Sequence, residues 1–400
     1  MDKHVLLIVD SYVTERDPRR GAKFRLHLRS YSRRGWHVGL VAIQQRDRSV
    51  WPALVRGGLI EEREFGIPVL RDCVPYGLLG RPIGSGASRL GTWLSNRAIA
   101  MYVRRHGRPD LLHAHGSQWS GVAALAASRR WGLPYILTEH MTIYSRGAVD
   151  RDLLPTMHEV FESARIRLPI SSQVGAVLEG VFGEAVQPWI AVPNMVDVDL
   201  FYPADPARSR RQDRFTLLSV SALVPKKGFD ILLRAFQQAF GGGEERLRIG
   251  GDGPERANLE RLAMELDIPG QVEFLGELSR ERVAEEMRSA WAYVLASRHE
   301  TFGIPVVEAH AVGLPVVSTR CGGPEDLVDS SSGVLVAPDD VDALASALRT
   351  MRDTVDDYDP VEIRRACLAR VSPDAVLDRL EGIYETAITD GAPSDLGGGD

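Results

Sequence analysis

Cysteine is scarce in this chain: three among 400 residues, Cys73, Cys321 and Cys367, set far apart. They show no metal-ligand or redox spacing, which excludes a disulfide framework and fits a reducing compartment. Long apolar runs are missing too. The opening MDKHVLLIVDSY carries only five consecutive apolar residues, Val5 to Val9, before Asp10. That is too short for a signal-peptide core or a membrane span, so it reads as a first buried strand and a cytoplasmic protein is expected. No G-x-G-x-x-G follows that strand, which disfavours a dehydrogenase. Low-complexity sequence is confined to the closing DGAPSDLGGGD, where residues 391–400 lack the apolar surface to fold and read as a disordered tail.

What is present is 44% hydrophobic and 26% charged sequence, enough for two domains with separate cores. Residues 1–200 hold 26 Lys+Arg against 19 Asp+Glu, a net of +7; the remainder holds 22 against 35, a net of −13. Much of the positive excess lies in RRGAKFRLHLRSYSRR, with Phe24, Leu28 and Tyr31 at helical spacing and Lys23, Arg25, Arg29, Arg33 and Arg34 on the other sides. Such a helix suits the solvated outer face of an α/β domain, an anionic membrane surface or an anionic acceptor. Nucleic acid is disfavoured, since the patch has no interleaved aromatic platform and the whole chain is acidic.

Short apolar runs alternate with longer helical patterns, the mark of parallel sheets wrapped in helices. One series is HVLLIVD, HVGLVAI, LLHAH, PYILTEH, IRLPIS and IAVPN; a second is FTLLSVS, LRIGG, VEFLG, AYVLAS, PVVST and GVLVAP. The polar ADPARSRRQDR after Pro203 reads as a linker between them. The expected layout is a Rossmann-like domain over 1–202, a second over 203–371, and a helix over 372–390 that crosses back to the first. Two doubly wound domains joined this way would leave a cleft, with chemistry in the loops at the carboxyl ends of the strands.

The stretch HETFGIPVVEAHAVGLPVVST places Glu300 and Glu308 on either side of seven mostly apolar residues. AYVLAS is expected to be a strand and HETFG the loop at its end. Pro305 suits the first turn of a helix, which Gly313 ends. The start of such a helix favours an anion such as a diphosphate. A carboxylate one turn further in, Glu308, can accept bonds from a ribose diol, and Glu300 can hold the hydroxyls of a second sugar. The competing reading makes Glu300 a loop charge and Glu308 a first-turn residue that complements the helix dipole.

This stretch closely resembles the donor signature of the retaining glycosyltransferases of family four: glutamate, seven residues, glutamate, with Phe302-Gly303 after the first and Glu308-Ala309 in the helix. The resemblance implies the GT-B fold, two facing Rossmann-like domains with a cleft, the first for the acceptor and the second for a nucleotide sugar. It runs through most of the chain. SVSALVPKKGFD resembles the family segment that presents a lysine to the diphosphate, with Lys227 as the match. Ser221-Ala222 stands where the family often has Gly-Arg, so Lys226 or a residue of the other domain is left to supply the second cation. GGDGPER resembles the family turn beside the nucleotide, through Gly251 and Gly253. VEFLGEL resembles the segment whose backbone contacts the base, at Phe274 and Leu275. CGGPEDLV resembles the loop after the last signature strand. Thr301 and Ile304 complete the donor loop this resemblance implies.

The amino-terminal half is less specific. LLHAHGSQWSG puts His113 and His115 at a strand end, and PYILTEHMTIYS puts Glu139 and His140 at the next. Histidines two apart on a strand point the same way, so a metal pair competes with a cleft lining as the reading. No third ligand has suitable spacing, and no metal or other cofactor is expected. The resemblance implies that His115 and His140 line the cleft near the transferred sugar, with Glu139 beside them, and that Gly21 lets backbone approach the phosphates. Asp197-Val-Asp199 mimics the metal-binding Asp-x-Asp of another fold, but VPNMVDVDLFYP resembles the family segment entering the linker. Asn194 and Asp197 are therefore expected to bond local backbone in a turn.

The activity implied is metal-independent transfer of a sugar with retention of configuration, by front-face attack. Lys227 and the amides near Gly303 would stabilise the departing diphosphate, and Glu300 would position the sugar rather than act as nucleophile. UDP is the first choice of nucleotide and GDP the second. The acceptor is a hydroxyl of a glycan, a lipid-linked sugar or a small metabolite, in polysaccharide, cell-envelope or glycoconjugate synthesis. A nucleotide-sugar epimerase of the same fold and a non-catalytic nucleotide-sugar binder are the alternatives.

Overall fold

The computed structural model describes residues 3–12, 21–43, 59–72, 96–141, 143–144, 147, 149–204 and 214–389. Cys73, most of the polar linker and the tail over 391–400 lie outside the described residues. The chain divides into two compact units, one built from residues up to Met195 together with those from Val376 onward, the other from Val196 to Ala375.

The first unit holds a seven-stranded sheet in the order β3-β4-β2-β1-β5-β6-β7. Its strands are β1 Val5–Val9, β2 Val38–Ile43, β3 Leu59–Glu64, β4 Ile67–Asp72, β5 Leu111–His115, β6 Tyr135–Glu139 and β7 Ile166–Pro169. All neighbours pair in parallel except the β3/β4 hairpin. That hairpin was not foreseen, because LIEERE has no apolar face to read; its exposed charges suit an edge strand that must not pair further. IAVPN, expected as a strand, is not one. Ile190 and Val192 donate to the carbonyls of Arg167 and Pro169 (3.0 and 2.9 Å), but Pro188 and Pro193 flank them and lack the N–H that a longer ladder needs.

The helix Ala22–Arg33 buries Phe24, His27, Leu28 and Tyr31 against this sheet. Into the same core comes the last helix, Pro373–Thr389, through Val376, Leu377, Leu380, Ile383, Tyr384 and Ala387. A Tyr384 hydroxyl that meets Tyr31 (3.0 Å) and His113 Nδ1 (2.7 Å) fixes its register.

In the second unit six parallel strands run in the order β10-β9-β8-β11-β12-β13. They are β8 Thr216–Val220, β9 Arg246–Gly250, β10 Val272–Gly276, β11 Ala292–Leu295, β12 Val316–Thr319 and β13 Gly333–Val336. Every run of the second series became a strand, since buried parallel strands are continuous apolar runs. The division falls at 195/196, not at 202/203 as expected. Val196 N–H donates to Val371 O (2.9 Å) and Arg364 donates to Phe201 O (3.0 Å), which ties the segment 196–202 to the second unit.

Candidate functional site

Five loops at the carboxyl ends of β8 to β12 carry the residues singled out in the second unit. Gly228, in the left-handed region at φ 65°, lies so close to β11 that a Cβ would sit 2.0 Å from Ala296 O. That contact seats the turn Pro225–Lys227 beside the end of β11 and brings Lys227 Nζ into an ion pair with Glu300 Oε1. Ser297 Oγ donates to the same oxygen (3.0 Å). The backbone of Glu300 is held as well: its N–H donates to Cys321 O (2.8 Å) and its carbonyl accepts from Gly323 N–H (3.1 Å). Gly323 presses on the neighbouring Phe302, where a Cβ would be 2.2 Å from Cα. The Gly-Gly loop is therefore the clamp that fixes the glutamate loop.

The helix Ile304–Ala311 starts on Gly303, at φ 91°, with no side-chain cap and with Pro305 in its first turn. Glu308 lies one turn in and is buried, 5% exposed. Its Oε1 accepts from Arg280 Nη2 (2.8 Å), and the Arg280 guanidinium lies 5.2 Å from the centre of the Phe201 ring. Burial pushes the Glu308 carboxyl up and Asp197 adds to the push, while Arg280 opposes both. Phe302 is buried, Lys226, Thr301, Phe274 and Leu275 are half-buried, and Ile304 is exposed.

Gly251 and Gly253 line no open space on their own account. A Cβ at either would strike Ser221 O or Leu223 O, at 1.9 and 2.4 Å, so both serve the close approach of the two turns. At Leu275 the register slips: Phe274 pairs with Ile249 and Gly276 with Gly250, which takes the Leu275 backbone out of the ladder. Ala222 is exposed, and the nearby Arg298 is engaged with Asp230 (2.8 Å) and Asp339 (2.7 Å).

The strand ends of the first unit gather a different set. His115 Nδ1 meets His140 Nε2 at 3.0 Å, while His115 Nε2 and His140 Nδ1 are buried without partners. His113 spends both ring nitrogens, on Tyr384 and on Thr138 Oγ1 (2.7 Å each). Both nitrogens that a metal pair with His115 would call on are thus hydrogen-bonded within the unit. No group of three or more His, Cys, Asp or Glu among the described residues is arranged to hold a metal ion. Glu139 is a buried acceptor of four bonds, from Ser117 N–H (3.0 Å) and Oγ (2.6 Å) and from the N–H groups of His140 (2.7 Å) and Met141 (2.9 Å). Gly21, at φ 75°, opens the helix Ala22–Arg33 and packs on Ser11, where a Cβ would lie 2.5 Å from the carbonyl oxygen.

Several participants escaped the sequence reading. His27 joins the histidine cluster, with both ring nitrogens buried and unpartnered. Asp10 accepts from Ser120 N–H (2.8 Å), and burial pushes its carboxyl up to about 6. Lys23, read as an outward charge, is pushed down to about 7 by burial, with Asp10 and Glu139 near enough to oppose the shift. Arg25 pairs with Glu64 and Arg34 with Asp378 (2.6 Å), so this helix spends much of its charge inside its own unit. The Asn194 side-chain oxygen is buried without a partner, contrary to the turn bond expected of it; the Asp197 carbonyl does accept from Leu200 and Phe201 N–H (3.1 and 2.8 Å). Among the described residues no helix is long and apolar enough to cross a membrane.

Comparison with known proteins matches both units. Residues 203–355 fit the family model described as glycosyl transferases group 1, and residues 23–195 fit a glycosyl transferase 4-like domain. D-inositol 3-phosphate glycosyltransferase of Acidothermus cellulolyticus is 30% identical over 319 residues, 74% of this chain and 70% of that protein. The protein of the same name from Frankia alni is 32% identical over 266 residues, 60% of this chain and 64% of that one. Among solved structures, sucrose-phosphate synthase from Thermosynechococcus elongatus superposes with a TM-score of 0.74 at 20% identity, over 96% of this chain and 99% of that one. Anabaena HepE in complex with UDP and glucose gives 0.72 at 19% identity, over 96% and 100%.

Proposed function

This chain belongs to the glycosyl transferases group 1 family, with a glycosyl transferase 4-like amino-terminal domain and the GT-B fold, and on that premise we propose that it moves a sugar from a nucleoside diphosphate sugar to a hydroxyl acceptor with retention of configuration and without a metal. The observation that carries the reading is the meeting of Lys227 and Glu300 beside the uncapped helix start at Gly303, with Glu308 one turn beyond. A cation, a helix amino terminus and two spaced carboxylates match a diphosphate flanked by two hydroxyl-bearing rings. In this reading the diphosphate takes Lys227 from Glu300, and the freed Glu300 oxygen takes sugar hydroxyls. Lys226 supplies the second positive charge that Ala222 does not. Leu275 offers its backbone to the base, and Gly251 and Gly253 let their turn lie close beside it.

Leaving-group charge is then met by Lys227 and the amides around Gly303, groups already in place before the C–O bond breaks. Glu300 is engaged by Lys227 and Ser297, which suits a positioning role better than that of a nucleophile. In the first unit His115, held against His140, lines the sugar or acceptor side, Glu139 fixes the loop beneath them, and Gly21 admits a phosphate to the backbone. The internal pairing of Arg25 and Arg34 favours an outer-face or acceptor role for that helix over membrane docking. UDP stands first because HepE was crystallised with UDP and glucose, and GDP second. The curated relatives named for D-inositol 3-phosphate place a phosphorylated polyol beside glycans and lipid-linked sugars as acceptors to try.

A thermal-shift panel of UDP-, GDP- and ADP-sugars, then mass spectrometry of products with those acceptors, tests the proposal. Acceptor-dependent product with the donor's anomeric configuration is the expected result. Conversion of the donor without acceptor would make the protein an epimerase, and binding without turnover would make it a sensor.

A further inference from the structure

Glu308 is a poor place for a charge. Its carboxyl is buried, Asp197 repels it, and both push it toward the protonated form. A protonated carboxyl cannot accept from two adjacent hydroxyls in the way a carboxylate does. One group opposes this. Arg280, the first residue of the helix Arg280–Ser289, is set by the Ser279 cap and steadied over the Phe201 ring, and it donates to Oε1 alone. Oε2 has no hydrogen-bond partner among the described residues. Half of the Arg280 side chain is exposed (52%) while the Glu308 side chain is 7% exposed, so without Arg280 the buried carboxylate is left uncompensated and is neutralised by taking up a proton.

We propose that Arg280 is the positioning residue of the nucleotide site: it keeps Glu308 ionised and aims Oε2 at the ribose diol, and so sets a preference for ribonucleoside over 2′-deoxyribonucleoside diphosphates. This rests on the reading of Glu308 as the ribose acceptor. The charged or titratable groups facing Glu308 are Arg280, Asp197 and Tyr293, whose hydroxyl is held by the N–H and carbonyl of Val220 (3.1 and 2.9 Å). Of these only Arg280 favours the carboxylate. Its removal lets burial and Asp197 dominate, so Glu308 takes up a proton at a higher pH and ribose binding fails first on the acid side.

Calorimetric titration of UDP, 2′-deoxy-UDP, GDP and 2′-deoxy-GDP into the full chain and its variants at pH 6.5 and 8.5 tests this. The wild type is expected to prefer the ribonucleotide by about tenfold. Arg280→Met should lose about tenfold in ribonucleotide affinity at pH 6.5 and recover much of it at pH 8.5, with 2′-deoxynucleotides little changed; Arg280→Lys should fall between. Arg280→Met that keeps the wild-type preference at both pH values overturns the inference, provided Glu308→Gln abolishes the preference. If Glu308→Gln also keeps it, the assignment of Glu308 to the ribose fails and takes the inference with it.

Discussion

The strand ends of the two units handle polar side chains in opposite ways. In the second unit Lys227 and Glu300, and Arg280 and Glu308, stand as pairs of opposite charge at the rim of the sheet. In the first, His27, His113, His115 and His140 lie packed ring on ring, and burial drives each toward the neutral form. Asp10 and Glu139 beside them are pushed up by the same cause. One set is kept charged by its partners and suits a polyanion; in the other the histidines are held neutral by burial and suit uncharged hydroxyls. The proposed division between diphosphate and hydroxyl chemistry follows that electrostatic difference.

The sharpest way to break this contrast is Lys227→Ala, which strips the charged site of its cation. We expect kcat/KM for the nucleotide sugar to fall by about 10²–10³-fold in steady-state assays of product formation, comparable to losing one preorganised donor to a developing anion. Glu300→Gln keeps the shape and removes the charge. Turnover should fall by roughly tenfold or more, and intact-mass spectrometry should find no sugar attached to the wild-type protein; an adduct on Glu300 would make it a nucleophile.

The neutral cluster is probed by two substitutions of opposite sign. His113→Phe strands Tyr384 and Thr138 and should cost about 1–3 kcal/mol in denaturant unfolding, whereas His27→Phe removes two unpartnered nitrogens and should be neutral or stabilising. Both histidines are pushed from 6.5 down to about 3 in the folded chain. Below about pH 6.5 the unfolded chain therefore binds the extra protons, and stability falls as pH drops from 6.5 toward 3. Asp10, with its carboxyl raised from 3.8 to about 6, acts the other way between those values. His27→Phe should flatten the acid side of the stability profile by one proton. The smallest effect is expected from EDTA, which should leave the rate of the charged site within about twofold.

How much of this was legible depends on how far apart the partners are in the chain. The six strands of the second unit and the Glu300 to Glu308 stretch were readable because each is set by local periodicity: a buried run, a turn glycine, a first-turn proline. The place of Lys227 in a turn at a strand end was readable from the Gly228 that follows it. Arg280 was not, because its meaning comes from Glu308 and Phe201, brought together only by the packed fold. Asp10 and Ser120 are 110 residues apart, and His113 and Tyr384 are 271 apart. The β3/β4 hairpin was hidden by its exposed, charged pattern, and IAVPN misled because half of a ladder looks in sequence like all of one.

The last helix has a bearing on how the molecule is made. Its residues from Val376 onward complete the core of the first unit, and the whole of Val196–Ala375 is translated in between. Without that helix the amino-terminal sheet lacks the cover over Tyr31, His113 and a strip of apolar surface, while the later unit has all its strands. A released chain truncated before Pro373 should thus be protease-sensitive in its older half and resistant in its younger one.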